Sequence, residues 1–359
     1  MSSVGAAEPK QRFAAEELRA FATGMFAHAG LAGEHAAIVA DALVYANLRG
    51  LDTHGLVRIP AYLKRIAAGL INTRPEIRRH SPMPFSSVFD ADNAMGPVGA
   101  RLAMDACVET ADRLGIGVAT VRRSNHFGAA SVYTVPPTAK GLITVVMSPA
   151  ARSLAAHGSR APLLGTNPFA VATPAGKYGA WSLDMAASVA ARGHIRLAAQ
   201  EGRAIPEGWA LDPDGAPTTD AQAALRGTML PFSGAKGSAL AMMVDILGGV
   251  LSGSAFAGDT RDWNTDFTGP ADVGHFLLAM KVEAFMPLAE FESRMETAIG
   301  RLKALPPAQG FDEVRFPGER SGNTEIERRR HGIPLSVEAV TSLRAQAASS
   351  GVEFPAPLA

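Results

Sequence analysis

Apolar residues change their spacing near Glu76, and that change narrows the folds open to the chain. Before it, segments 14–28 and 35–48 carry apolar side chains three and four residues apart, the spacing that lines one helix face. Gly30 and Gly50 follow them as stops, and a third helix is expected over about 57–68, closed by Gly69. After it, short apolar runs alternate with helical stretches. Strands are expected at 87–90, 117–122, 142–147, 169–173, 180–183 and 275–282, and helices at 100–114, 129–140, 188–201, 236–251, 286–305 and 336–348. Segments 206–219 and 253–274 read as loops, and 306–330 as a Pro-, Gly- and charge-rich tail. This alternation predicts an α/β or mixed α+β core, with soft boundaries near 75 and 300.

A chain of 359 residues is long enough for a large shared core. Lys plus Arg and Asp plus Glu number 34 each, so no global field draws nucleic acid or an anionic membrane, and neither is expected as a partner. Cys107 is the only cysteine, which excludes an intramolecular disulfide and a thiolate zinc site and suits a reducing cytoplasm. Residues 1–10 contain no apolar leader and no later run reaches about 18 apolar residues, so a soluble, cytoplasmic protein is expected. The nine histidines are scattered without a His-x-x-x-His pair, and metal-free chemistry is the expectation.

His54, Arg58 and Tyr62 recur every four residues after the Asp52-Thr53-His54-Gly55 turn. On a helix they would share one face, joining a proton donor, a guanidinium fork suited to a carboxylate, and a phenol. The ordinary reading makes Thr53 a helix N-cap, Arg58 a surface charge and Tyr62 a half-buried aromatic. Gly55, a poor residue for a first helical turn, suggests that something approaches the backbone closely there.

Gly115-Ile116-Gly117 lacks a third glycine and precedes its strand, so it is no Rossmann fingerprint. Lys236, in Gly234-Ala235-Lys236-Gly237-Ser238, would place a charge at a helix N-terminus suited to phosphate. Ser124-Asn125-His126-Phe127-Gly128 sits at a strand end, where a turn and a functional site are equally open readings. Gly165-Thr166-Asn167-Pro168 reads as a turn and Asp184-Met185-Ala186-Ala187-Ser188 as a strand-to-helix join with an N-cap, or as amides for a ligand. Phe316-Pro317-Gly318-Glu319-Arg320 reads as an exposed turn.

In register, these segments with Gly274-His275-Phe276 resemble the malate/L-lactate dehydrogenase family of NAD(P)-dependent, non-Rossmann oxidoreductases. That family also holds ureidoglycolate and sulfolactate dehydrogenases and Δ1-piperideine-2-carboxylate reductases. The resemblance implies a homodimer with a mixed, largely antiparallel sheet, surrounding helices and a site near the subunit interface. It implies a helical substrate-binding part over 1–75, a cofactor-binding domain over 76–300, and a segment over 301–359 packing back on the first part. His54, with Thr53 before it, would move the proton, and Arg58, with Tyr62 and Thr166, would hold a small carboxylate substrate. His126, Phe127, Gly128, Ala129, Ala130, Ser148, Asp184, Met185, Ala186, Lys236, Pro317, Gly318 and Glu319 would line NAD or NADP. In some relatives the residue matching His126 is the proton acceptor, so two histidines compete for that role.

Two positions depart from the family. Thr53 stands where serine is common, keeping the hydroxyl, and His194 stands where the cyclic imine reductases have an aspartate that supports the proton relay. A neutral histidine cannot stabilise an imidazolium as a carboxylate does. The expected activity is hydride transfer between a nicotinamide and C2 of a small 2-oxo or 2-hydroxy acid. The alternatives are reduction of a cyclic 2-imino acid and noncatalytic binding of a nucleotide or carboxylate.

Overall fold

A computed structural model describes residues 11–358; residues 1–10, expected from sequence to lack a leader, lie outside it. The chain begins with strand β1 (Gln11–Phe13) and helices α1 (Ala15–His28) and α2 (Gly33–Leu48), then makes two 3-10 turns, Asp52–His54 and Leu56–Arg58, before α3 (Ile59–Ala67). Strands β2 (Arg78–His80) and β3 (Ser86–Asp90), α4 (Gly96–Leu114), β4 (Ile116–Ser124), the short α5 (Ser131–Thr134) and β5 (Leu142–Met147) follow. The expected helix over 129–140 is broken, because Pro136 and Pro137 supply no amide hydrogen and turn the chain into a 3-10 segment, Pro136–Lys140.

Next come β6 (Leu154–Ala155), β7 (Pro162–Leu164), β8 (Phe169–Pro174), β9 (Ala180–Met185), α6 (Arg192–Gln200), β10 (Ala210–Leu211), β11 (Pro217–Thr218), α7 (Ala221–Arg226), β12 (Thr228–Met229) and α8 (Ala235–Asp245). The last part holds β13 (Val273–Lys281), α9 (Leu288–Lys303), α10 (Glu319–His331), β14 (Ile333–Leu335) and α11 (Val337–Ser350). The segment expected as a tail over 306–330 therefore ends in a helix, α10.

Seven strands form the main sheet in the order β2-β3-β4-β13-β5-β8-β9. Only β3 and β4 pair in parallel; the other pairs are antiparallel. α4 lies across this sheet and buries Ala103, Met104, Cys107 and Ala111 against Val121, Leu277 and Ala279. Gly115 closes α4 at a φ of 83°, and a Cβ on Gly117 would sit 2.2 Å from the Cys107 carbonyl oxygen. Those two glycines thus serve helix closure and helix-to-sheet packing.

A second core gathers α1, α2 and α3 around Leu18, Phe26, Leu43, Ile59 and Tyr62, and is completed from the far end of the chain by Ile333, Leu335, Val340 and Leu343. β1 pairs with β14, which ties that end down. The five short strands β11-β10-β12-β6-β7 make a smaller sheet covered by α6 and α7. Among the described residues no helix is long and apolar enough to cross a membrane.

Candidate active site

The segment from Asp52 to Tyr62 is not one helix, so its three polar side chains do not share a helix face. His54 ends the first 3-10 turn, Arg58 ends the second, and Tyr62 lies in the first turn of α3. Thr53 is not an N-cap: its hydroxyl lies 3.0 Å from Nδ1 of His54. What presses on Gly55 is Asn47, whose Oδ1 would stand 2.1 Å from a Cβ at that position. Asn47 is 1% exposed; its Oδ1 accepts from the Leu56 amide at 2.9 Å and its Nδ2 donates to Asp52 at 2.6 Å. Arg328 of α10 then closes a bidentate pair on Asp52 at 2.6 and 3.0 Å and reaches the Asn47 carbonyl at 2.5 Å. Two planar groups thereby fix the turn that carries Thr53 and His54.

His126 enters from the other side of the molecule, on the turn after β4. The start of α4 packs flat against this turn, since a Cβ on Gly96 would lie 2.2 Å from the Asn125 carbonyl oxygen. Nδ1 of His126 lies 2.7 Å from the Tyr62 hydroxyl, and its ring is near-parallel to that of His54 at 5.9 Å between centroids. Phe127 points inward and stacks on both Tyr133 and His275, so its side chain anchors the turn.

Trp263 forms a wall that sequence reasoning did not pick out. Its ring stacks on His126 at 4.3 Å, and the Arg58 guanidinium sits 5.2 Å from its centroid. Arg65, 1% exposed, donates to the carbonyls of Trp263, Asp266 and Gly269 and so fastens this loop to α3. A tryptophan in an otherwise polar loop was the only available signal.

The electrostatics disfavour charge on both histidine rings. His54 and His126 keep accessible surface, yet the protein around them disfavours the imidazolium. Burial, then Arg58, lowers the pKa of His54 to about 4. His126 is driven well below its ordinary value by burial, with His54, Arg58 and His275 adding repulsion. Arg58 donates to the Thr53 carbonyl at 2.5 Å, and among the described residues no carboxylate pairs with it. Behind the site His275 is fully buried between Ser148 and Ser124, at 2.9 and 2.8 Å, and burial lowers it to about 3. The Ser148 hydroxyl also donates to the Gly274 carbonyl, so its side chain is committed inward and steadies His275.

The segments assigned to the cofactor meet along β9. Asp184 accepts from the Ser131 amide at 2.9 Å, which joins it to the Gly128-Ala129-Ala130 turn. Burial raises its carboxyl although one face stays accessible. The Ala187 amide donates to the Thr166 carbonyl at 2.7 Å, beside half-buried Met185 and Ala186. Ser188 is not an N-cap, because α6 begins only at Arg192. The Pro317 turn is not a free tail turn either: Phe316 is buried, the Ser182 amide donates to the Pro317 carbonyl, and Glu319 is held by Lys303 and the Phe316 amide. Gly318, at a φ of 91°, lies so close to Ser182 that a Cβ would be 2.9 Å from its nitrogen. Lys236 stands exposed in the first turn of α8.

Asn125 Oδ1 and Ser188 Oγ are buried without a hydrogen-bond partner, each beside one of these segments. A bound polar group meets that deficit, so the residues fit a dinucleotide. His194 is exposed on α6 with its ring 6.4 Å from that of Trp209; no contact joins it to His54. A cavity of about 560 Å³ lies elsewhere, against the small sheet, and touches this group through Gly234 before Lys236.

Known proteins match nearly the full chain. The family model described as malate/L-lactate dehydrogenase matches residues 13–344. The chain is 34% identical to ureidoglycolate dehydrogenase (NAD(+)) of Escherichia coli O157:H7, over 89% of this chain and 90% of that protein. It is also 34% identical to Δ1-pyrroline-2-carboxylate reductase of Ancylobacter novellus, over 88% and 92%. The solved structure of malate dehydrogenase from Pyrococcus horikoshii superposes with a TM-score of 0.88 at 31% identity, covering 99% of this chain and 100% of that one. With its mixed, largely antiparallel sheet and this match, the chain belongs to the malate/L-lactate dehydrogenase family of oxidoreductases.

Proposed function

We propose that this enzyme transfers a hydride reversibly between C4 of a nicotinamide and C2 of a small 2-oxo or 2-hydroxy acid. The observation that carries the reading is Arg58: a guanidinium without a carboxylate partner among the described residues, braced on Trp263, beside two imidazoles whose charged form is disfavoured. A planar fork of this kind takes a carboxylate in two parallel hydrogen bonds, which fixes C2 relative to the histidines. In the oxidising direction the hydroxyl proton passes to a neutral imidazole as the C2 hydride leaves, and C2 becomes a carbonyl. The bound nicotinamide supplies or accepts that hydride. Gly128 to Ala130, Asp184 to Ala186, Lys236 and the Pro317 turn would hold it, with the Asp184 carboxylate accessible beside the Gly128 turn.

Reduction of a cyclic 2-imino acid is the second reading, favoured by the likeness to the pyrroline-2-carboxylate reductase and served by the same arginine. The absence of a carboxylate beside either site histidine, among the described residues, ranks it behind the hydroxy acids. The test follows NADH and NADPH consumption against pyruvate, oxaloacetate and other oxo acids in parallel with cyclic imino acids. Turnover of an imino acid alone would reverse the ranking, and turnover of neither class would refute the reading.

The same reading includes a homodimer in the cytoplasm. Met242, Ile246, Val250 and Leu251 form an apolar stripe on α8 and the turn after it, each about half exposed, as a surface that meets its own copy would be. A monomer by sedimentation at micromolar concentration would refute the dimer.

A further inference from the structure

The two imidazoles of the site are not equivalent, and Tyr62 distinguishes them. Its ring is 2% exposed, and its hydroxyl has one hydrogen-bond partner among the described residues, Nδ1 of His126 at 2.7 Å. Burial holds the phenol protonated, well above its ordinary pKa. Were the His126 proton on Nδ1, the phenol hydrogen would be buried with no acceptor, an arrangement disfavoured on the order of ten- to a hundredfold. The phenol therefore donates, Nδ1 accepts, and the imidazole proton resides on Nε2. A ring flip would set a carbon against the phenol, and Trp263, stacked at 4.3 Å, holds the ring plane.

His54 is placed differently. Its Nδ1 meets the hydroxyl of Thr53, an exposed side chain whose hydrogen can turn either to the ring or to water. Either tautomer of His54 is satisfied, so this ring can gain and lose a proton without stranding a neighbour. The charged and titratable groups facing His126 are His54, Arg58, Tyr62 and His275, drawn from both 3-10 turns, α3 and β13; none is a carboxylate.

We propose that Tyr62 is a positioning residue that locks His126 as the Nε2–H tautomer, so that His126 donates a hydrogen bond to the substrate's C2 oxygen while His54 carries the proton. This rests on the hydride-transfer reading. In oxidation the hydroxyl proton goes to His54, the C2 hydride goes to the nicotinamide, and the N–H of His126 stays where it is. His126 then stabilises the developing oxyanion, as a neutral donor held in a buried site can.

Long-range proton–nitrogen correlation spectra of protein labelled with nitrogen-15 in histidine test the tautomer directly, with the His126 signals identified by their loss in His126→Gln. The expected result is the Nε2–H pattern in the unaltered enzyme and a mixture of tautomers in Tyr62→Phe. An Nδ1–H pattern in the unaltered enzyme overturns the proposal whatever the activity. The second arm is the pH profile of kcat/KM for hydroxy-acid oxidation. Glutamine keeps an N–H near the Nε2 position, so His126→Gln retains the acid limb and more activity than His126→Ala, whereas His54→Gln loses the limb and about 10²- to 10⁴-fold in rate. A limb lost in His126→Gln and kept in His54→Gln reverses the roles. If the unaltered enzyme turns over neither class of acid, the hydride reading fails and the spectra still decide the tautomer.

Discussion

Replacing Gly55 by alanine measures how tightly the His54 turn is built. The backbone there has a φ of −91°, outside the left-handed region, so the penalty to weigh is what the new methyl meets. It meets the Asn47 amide, with Oδ1, Cγ and Nδ2 at 2.1, 2.4 and 2.6 Å. That amide must move by more than 1 Å, roughly the shortfall from ordinary contact near 3.5 Å. Moving it strands the Leu56 amide, on a residue that is 0% exposed, at about 1–3 kcal/mol. It also loses the bond to Asp52, worth about 1 kcal/mol because Asp52 is partly exposed and keeps Arg328. The sum is about 2–4 kcal/mol, read as a lowered urea midpoint with an unchanged slope. Asn47→Ala removes the same two bonds and makes room for the methyl, so the double variant should be about as stable as either single one. Independent sites would instead add. A Gly55→Ala protein within about 0.5 kcal/mol of the original, or a strictly additive double variant, would refute the geometry.

Four other outcomes follow. Arg58→Ala should lower kcat/KM by at least about 100-fold, the worth of two charge-assisted hydrogen bonds, and raise the His54 pKa by removing a neighbouring cation; steady-state kinetics over pH reads both. Arg328→Ala should cost about 1–2 kcal/mol in urea unfolding, since Asp52 keeps some water, and should slow hydride transfer although the residue touches no reactant. His275 stays neutral in the fold to about pH 3 but protonates near 6.5 when unfolded, so its stabilisation is complete above about 6.5 and falls with pH through that window. His275→Gln should flatten the stability-versus-pH slope there by up to about 1.4 kcal/mol per pH unit. Binding of oxamate, an oxo-acid mimic, should draw in protons at pH 6, seen as a calorimetric enthalpy that depends on the buffer.

The elements readable in the sequence are those whose own apolar pattern carries them. α1, α2, α4 and α11 bury a stripe along their length, α8 shows helical spacing although its Met242 and the following Ile246 and Val250 stay half exposed, and β4, β5, β8, β9 and β13 are runs long enough to show strand texture. α10 escaped because it has no buried residue: ion pairs from Arg49 to Glu325 and Arg328 to Asp52 hold it, and charge spacing alone reads as a solvated tail. The small sheet escaped because its strands are two or three residues long, too short for any period. His54, Arg58 and Tyr62 were singled out as a helical face, yet two 3-10 turns bring them near His126. Trp263 reaches the same place from about 200 residues further along, and local spacing holds no trace of such a contact.

The charge pattern of the site explains how two histidines held far below their ordinary pKa can serve a reaction that needs a proton in one direction. Arg58 is the charged group that acts on the His54 ring, and among the described residues no protein carboxylate is seen to act against it. In the protein alone the arginine and the burial act together, and a second cation is disfavoured. A carboxylate substrate held by Arg58 would neutralise that charge within a poorly hydrated space, where Coulomb interactions are strong. The proton affinity of His54 then rises when the acid to be reduced is bound. An aspartate fixed beside His54 would keep the imidazole charged with or without substrate. On the proposed reading the substrate would itself be the counter-ion, protonation would be tied to occupancy, and His194, whose ring faces Trp209, would not be needed to supply it.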